Sequence, residues 1–191
     1  MTAKDILRVP DTPLAREAKQ IMVAALPQPL LNHSLRSYLL AKAYAGKKKL
    51  NYDEEGLYIA ALFHDLGLCA KEVNPRLPFQ INSSLAMAAF LEESGIPKER
   101  ISPLVDAIDF HCQFFPRWSS GHEVGLLQVG TWMDLTLRKR LSVWKEAHII
   151  SQQFRRKGVD WLFPWLVIQS MRSLPACAGI LWPRKYRPAF G

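Results

Sequence analysis

Leu57-Tyr58-Ile59-Ala60-Ala61-Leu62-Phe63-His64-Asp65-Leu66-Gly67-Leu68 is the stretch on which the fold turns. Its first seven residues make a strongly apolar helical segment, and it closes on an imidazole beside a carboxylate. Charge at the end of a buried helix is costly unless something compensates it, and a bound divalent metal is the usual compensation. The helix dipole also disfavours an anion at this end, so Asp65 asks for a cation. Leu57, Ala60, Ala61 and His64 share one face, which turns the His64 ring inward.

Two residues elsewhere answer this pair. His33 lies in the first turn of an apolar helix, on a face with Ser37, Leu40 and Tyr44. Asp134 lies within a helical segment from Gly125 to Arg138, on a face with Val124, Leu127 and Thr131. Two imidazoles and two carboxylates form a mixed N/O set that suits Zn, Mn, Fe, Co or Ni and leaves positions for water and substrate. Taken singly, each has an ordinary reading. A lone histidine on an apolar face is commonly a hydrogen-bonded core residue, and Asp65 can face solvent. Their conjunction favours a metal centre.

Working outward, 191 residues with 49% hydrophobic content can bury one substantial core. There is no apolar run long enough to span a bilayer. With Asp5 and Arg8 near its start, the N-terminus lacks the pattern of a secretory signal, so a cytoplasmic protein is expected. Cys69, Cys112 and Cys177 are odd in number and widely spaced, against a disulfide framework or a CxxC zinc site. The formal charge of +8 gathers in Lys47-Lys48-Lys49, Arg138-Lys139-Arg140, Arg155-Arg156-Lys157 and Arg184-Lys185. These sit at expected helix ends, where cations complement the dipole, without interleaved aromatics. That argues against nucleic acid and for attraction of small anions.

Helical signals recur along the chain and no strand is convincing, so an all-α fold is predicted. Thr12-Pro13 starts a helix with Leu14, Ala18, Ile21 and Ala25 at helical spacing, ended by Pro27 and Pro29. The next runs from about Leu30 to Ala45 and stops at Gly46. Another follows Asp53 and ends near Gly67. Residues 69–79, with Asn74-Pro75-Arg76 and Pro78, read as a surface loop beside the site. Asn82 or Ser83 caps a helix ending at Ser94-Gly95; Ser102-Pro103 opens one through Gln113; Gly121 opens one through about Arg140. Two more span roughly 142–157 and 164–174.

The order His33, His64-Asp65, Asp134 on antiparallel-packed helices resembles the HD-domain superfamily of metal-dependent hydrolases. Four stretches are similar to its cyanamide-hydratase-like branch: His33-Ser34-Leu35-Arg36-Ser37-Tyr38, the Leu57–Leu68 stretch, Arg76-Leu77-Pro78-Phe79-Gln80-Ile81-Asn82, and Asp106-Ala107-Ile108-Asp109-Phe110-His111. The resemblance covers roughly residues 30–135. It implies an HD-type helical bundle filling one domain, 1–191, with a metal-site core at about 30–140 and C-terminal helices 142–174 packed on it. It implies that His33, His64, Asp65 and Asp134 hold one divalent transition metal, zinc first among Zn, Fe, Mn, Co and Ni. Two-metal members carry a further histidine some way after the HD pair, where this chain has Asn82-Ser83-Ser84, so one metal is expected.

The implied chemistry is attack of metal-activated water on a small molecule. Asp65 orients or deprotonates the water, and His111 passes a proton to the leaving atom. His122 is the weaker partner, at a polar helix start. A C-N electrophile of the cyanamide or nitrile type needs a tight apolar pocket, which Phe63, Phe79, Phe110, Phe114, Phe115 and Trp132 can line, although aromatics at helical spacing are more often ordinary core. Hydrolysis of nucleotides or other phosphomonoesters is the alternative, with Arg36, Arg76 or Arg117 over the phosphate. Arg36, Phe79 and Trp132 are the leading substrate contacts. Branch members carry a glycine-rich AGxxxD segment, whereas this chain has Gly130-Thr131-Trp132-Met133-Asp134, and the bulk of Trp132 and Met133 reshapes the pocket. A third reading is a noncatalytic helical binding module, against which the intact ligand set speaks. Trp161, Phe163 and Trp165 read equally as core and as the face of a homo-oligomer.

Overall fold

In the computed structural model, residues 2–69, 74, 76–113, 115–136 and 142–171 are described. Phe114, Cys177 and the clusters Arg138-Lys139-Arg140 and Arg184-Lys185 lie outside them. Among the described residues the chain is helical without strands, as expected. The helices are α1 (Ala3–Leu7), α2 (Pro13–Ala25), α3 (Gln28–Lys48), α4 (Glu54–Phe63), α5 (Phe79–Glu93), α6 (Lys98–Phe110), α7 (His122–Leu135), α8 (Trp144–Gln153) and α9 (Val159–Met171).

Helix α4 is the hub. Every residue from Gly56 to Phe63 is buried, as an all-apolar helix requires, and it packs against α2, α3, α5, α6 and α7. Its start is fixed by Asp53, whose carboxylate accepts from the Gly56 amide and also pairs with Arg100 on α6. Just beyond its end, a 3-10 turn (Leu66–Leu68) brings the chain against α5. A Cβ at Gly67 would lie 2.1 Å from the Phe79 carbonyl, so only glycine permits this approach. The Gly67 amide donates to Ser83 Oγ at 2.9 Å. Helices α3 and α7 cross just as closely: a Cβ at Gly130 would lie 2.2 Å from the Ser37 carbonyl.

Several boundaries differ from the sequence expectation. Pro29 sits in the first turn of α3, where its missing N–H costs nothing, and so puts His33 in the second turn. Gly46 does not end α3. The helix closes at Lys49, in the left-handed region at φ 54°, with the Leu50 amide donating to the Ala45 carbonyl. Helix α5 begins at Phe79, not at Asn82, whose side-chain amide instead bonds Asn74 and Leu77 and braces the preceding loop. Pro103 is interior to α6, and Pro164 to α9. The inward stripe of α2 is Ala15, Ala18 and Met22, one position round from the expected set, leaving Ile21 exposed. The C-terminal helices α8 and α9 both contact α3. Among the described residues no helix is long and apolar enough to cross a membrane.

Candidate metal centre

Three helix segments deliver the site. His33 comes from the second turn of α3, His64 and Asp65 from the end of α4, and His111 from the end of α6. All four are buried. His33 Nε2 lies 3.3 Å from His64 Nε2, and Asp65 Oδ2 lies 3.6 Å from the first and 3.1 Å from the second.

The surroundings decide which nitrogen carries the proton. His64 Nδ1 is 2.8 Å from the Ala61 carbonyl, which can only accept, so Nδ1 donates and Nε2 presents a lone pair. His33 Nδ1 is 2.7 Å from the Asp134 carboxylate, which likewise makes Nδ1 the donor and leaves a lone pair on Nε2. Both Asp65 oxygens are buried without a hydrogen-bond partner. With both rings neutral, two imidazole lone pairs converge with the Asp65 carboxylate, and His111 Nε2 stands 3.6 Å from Asp65 Oδ1. A cation satisfies such a set, and it matches the His/carboxylate donors of transition-metal centres. Burial opposes ionisation of Asp65, but His64, His111 and His33 outweigh it and hold the carboxyl below the usual carboxylate range.

His111 mirrors His64. Its Nδ1 donates to the Ile108 carbonyl at 2.6 Å, so Nε2 faces Asp65 Oδ1 at 3.6 Å and Cys112 Sγ at 3.1 Å. Burial pulls its pKa down, but Cys112 and Asp65 push it up to about 9.

Asp134 and Arg36 stand elsewhere than the sequence suggested. The structure gathers three of the four expected ligands and sets Asp134 behind the His33 ring. Asp134 is held there by Arg36 and Arg156. Burial opposes its ionisation as well, but His33 and Arg36 hold its carboxyl below the usual range. Arg36, expected to face substrate, is fully buried, with its donors on Asp134 and on the Phe154 and Arg155 carbonyls. The partner that fixes it, 98 positions away, leaves no local trace in the sequence.

A cavity of about 210 Å³ opens over the group. Phe79 and Trp132 line it, together with Cys112, Thr131, Leu135, Phe163 and Val167, which sequence reasoning did not place there. The aromatics of α9 were the available signal for Phe163. The Trp132 indole N–H donates to the Gln113 carbonyl and ties α7 to the end of α6. Phe63, Phe110 and Phe115 are not among the described lining residues: Phe63 stacks on Phe90, Phe110 lies beneath the Arg117 guanidinium, and Phe115 is exposed. Arg117 is bonded to Gln113, and Arg76 is exposed on the loop. His122 bonds the Asn51 carbonyl at the start of α7, away from the site.

A buried His-His-Asp group at the junction of helix ends, inside an all-α bundle, marks a helical metal-centre domain. The HD-domain family model matches residues 30–130, and the chain belongs to that family. HD domains are generally metal-dependent hydrolases that bind divalent metals, and the His33-His64-Asp65 group is where this chain can hold one. A search of curated proteins finds no match.

Proposed function

We propose that the protein is a metal-dependent hydratase or hydrolase of a small, neutral C-N electrophile of the cyanamide or nitrile type. The observation that carries this reading is the cavity wall. Phe79, Trp132, Leu135, Phe163 and Val167 surround the His-Asp floor, and the described lining residues include no arginine or lysine. A phosphomonoester needs cations over its oxygens. The arginine nearest in sequence to His33 is spent on Asp134. A neutral substrate of a few heavy atoms suits this volume and polarity.

His33, His64 and Asp65 would hold the metal, with zinc the first choice and Fe, Mn, Co or Ni as alternatives. A metal held there would supply a water nucleophile at neutral pH and polarise the electrophile. Asp65 is buried and ionised beside the two Nε2 atoms, so it orients the attacking water and accepts its proton. His111 Nε2, across from Asp65 Oδ1, delivers a proton to the substrate nitrogen as the carbon gains its oxygen. Trp132 and Phe79 exclude bulk water and fix the orientation of a short linear substrate.

A panel of cyanamide, nitriles, isonitriles and phosphomonoesters, run with protein loaded with each candidate metal, tests the proposal. Turnover of a cyanamide or nitrile is expected. Turnover of phosphomonoesters alone would overturn the substrate class, and failure to take up any metal would overturn the enzyme reading.

A further inference from the structure

His33 and His64 present the same atom to the site but are braced differently. His64 rests on a backbone carbonyl of its own helix, whereas His33 rests on the Asp134 carboxylate. That carboxylate is gripped from two further sides. Arg36 Nε meets Oδ1 at 2.8 Å and Nη2 meets Oδ2 at 2.7 Å, while Arg156 Nη1 meets Oδ1 at 2.8 Å and also the Asp134 carbonyl. Arg36 and Asp134 are wholly buried; the Arg156 side chain is 24% exposed.

Swinging Asp134 toward the point between His33 and His64 would strip a buried guanidinium of its anion, and such breaks are strongly disfavoured. The same two arginines reach the segment that leads into α9. Arg36 Nη1 donates to the Phe154 and Arg155 carbonyls, and Arg156 Nη2 donates to Asp160 in the first turn of α9. Helix α9 then sets Phe163 against the His33 ring, with centroids 5.7 Å apart, and sends Val167 into the cavity wall.

We propose that Asp134 is a positioning residue, not a metal ligand, and that Arg156 is the lock that keeps it so. Asp134 fixes the tautomer and ring orientation of His33 through Nδ1. Arg156 and Arg36 tie that carboxylate to the turn carrying α9, so one ionic knot sets both a ligand and the wall that faces it. Outer carboxylates of this kind tune the affinity of a histidine-bound metal. This inference rests on the metal-centre reading above. Arg156 lies beyond the matched residues 30–130, in the segment between α8 and α9.

The test loads the full chain and its D134A, R156Q and H64A variants with Co(II). It records the visible absorption bands, the dissociation constant by chelator competition, and far-UV circular dichroism. D134A is expected to keep the wild-type band positions and to bind cobalt about 10- to 100-fold more weakly. R156Q should shift affinity in the same direction by a smaller factor, with partial rescue by R156K; H64A should lose binding. Displaced bands in D134A, or loss as complete as in H64A from a folded protein, would make Asp134 a ligand and overturn the inference. D134A leaves Arg36 without its anion and is the variant most prone to misfold. R156Q spares the Arg36–Asp134 pair, and an affinity unchanged from wild type in R156Q would remove the lock. Wild-type protein that takes up no cobalt overturns the metal-centre reading itself, an outcome distinct from either of these.

Discussion

The ends of α4 and α6 are near copies in geometry and opposites in chemistry. Each finishes with phenylalanine followed by histidine, and each histidine turns its Nδ1 back onto the carbonyl three residues earlier. That bond engages a carbonyl in the last turn and makes Nδ1 the donor. The next residue separates them. After His64 comes Asp65, an acceptor with both oxygens unpartnered; after His111 comes Cys112, whose sulfur lies 3.1 Å from Nε2. An anion beside a lone pair gathers a cation. A thiol beside an imidazole exchanges a proton. One motif, differing at a single following residue, sets a carboxylate beside one imidazole and a thiol beside the other.

Breaking the α4 end should have the largest effect. H64A is expected to remove bound metal, read by elemental analysis of the purified protein, and to drop activity to the uncatalysed background. H111A should cost about 10²- to 10⁴-fold in kcat, the range for a general acid or base, while metal content stays at the wild-type level. If metal content falls with it, the two helix ends do the same job and the contrast collapses. C112S keeps a donor beside His111 in place of the thiol. It should change kcat/KM by no more than about tenfold, the worth of one neutral hydrogen bond. A larger loss in steady-state kinetics would give the sulfur a direct part in the chemistry.

Much of this was legible in the sequence because it was local. The unbroken apolar run of α4 gave its burial, Thr12 and Asp53 act as caps where they stand, and His64-Asp65 advertised its own cost. What misled was punctuation. Gly46, Pro103 and Pro164 read as boundaries but lie inside helices, because packing across the bundle outweighs the loss of one backbone bond or the freedom of one glycine. The grip on Asp134 was illegible for a different reason. Arg36 and Arg156 approach it from 98 and 22 positions away, and no periodicity records a three-way ionic contact. Phe163 and Val167 belong to the same class, since they reach the cavity from a helix distant in sequence.

The burial of α4 on all sides also sets an order in which the molecule can come apart. Its backbone is wrapped by five other helices, while α9 holds Trp161, Trp165 and Ile168 out in solvent. Segments with few buried contacts open at lower free energy than the core they cover. Helix α9 is therefore expected to open at lower free energy than α4, with hydrogen exchange as the measurement that orders the two. His64 and Asp65 follow directly on the helix with the larger set of neighbours.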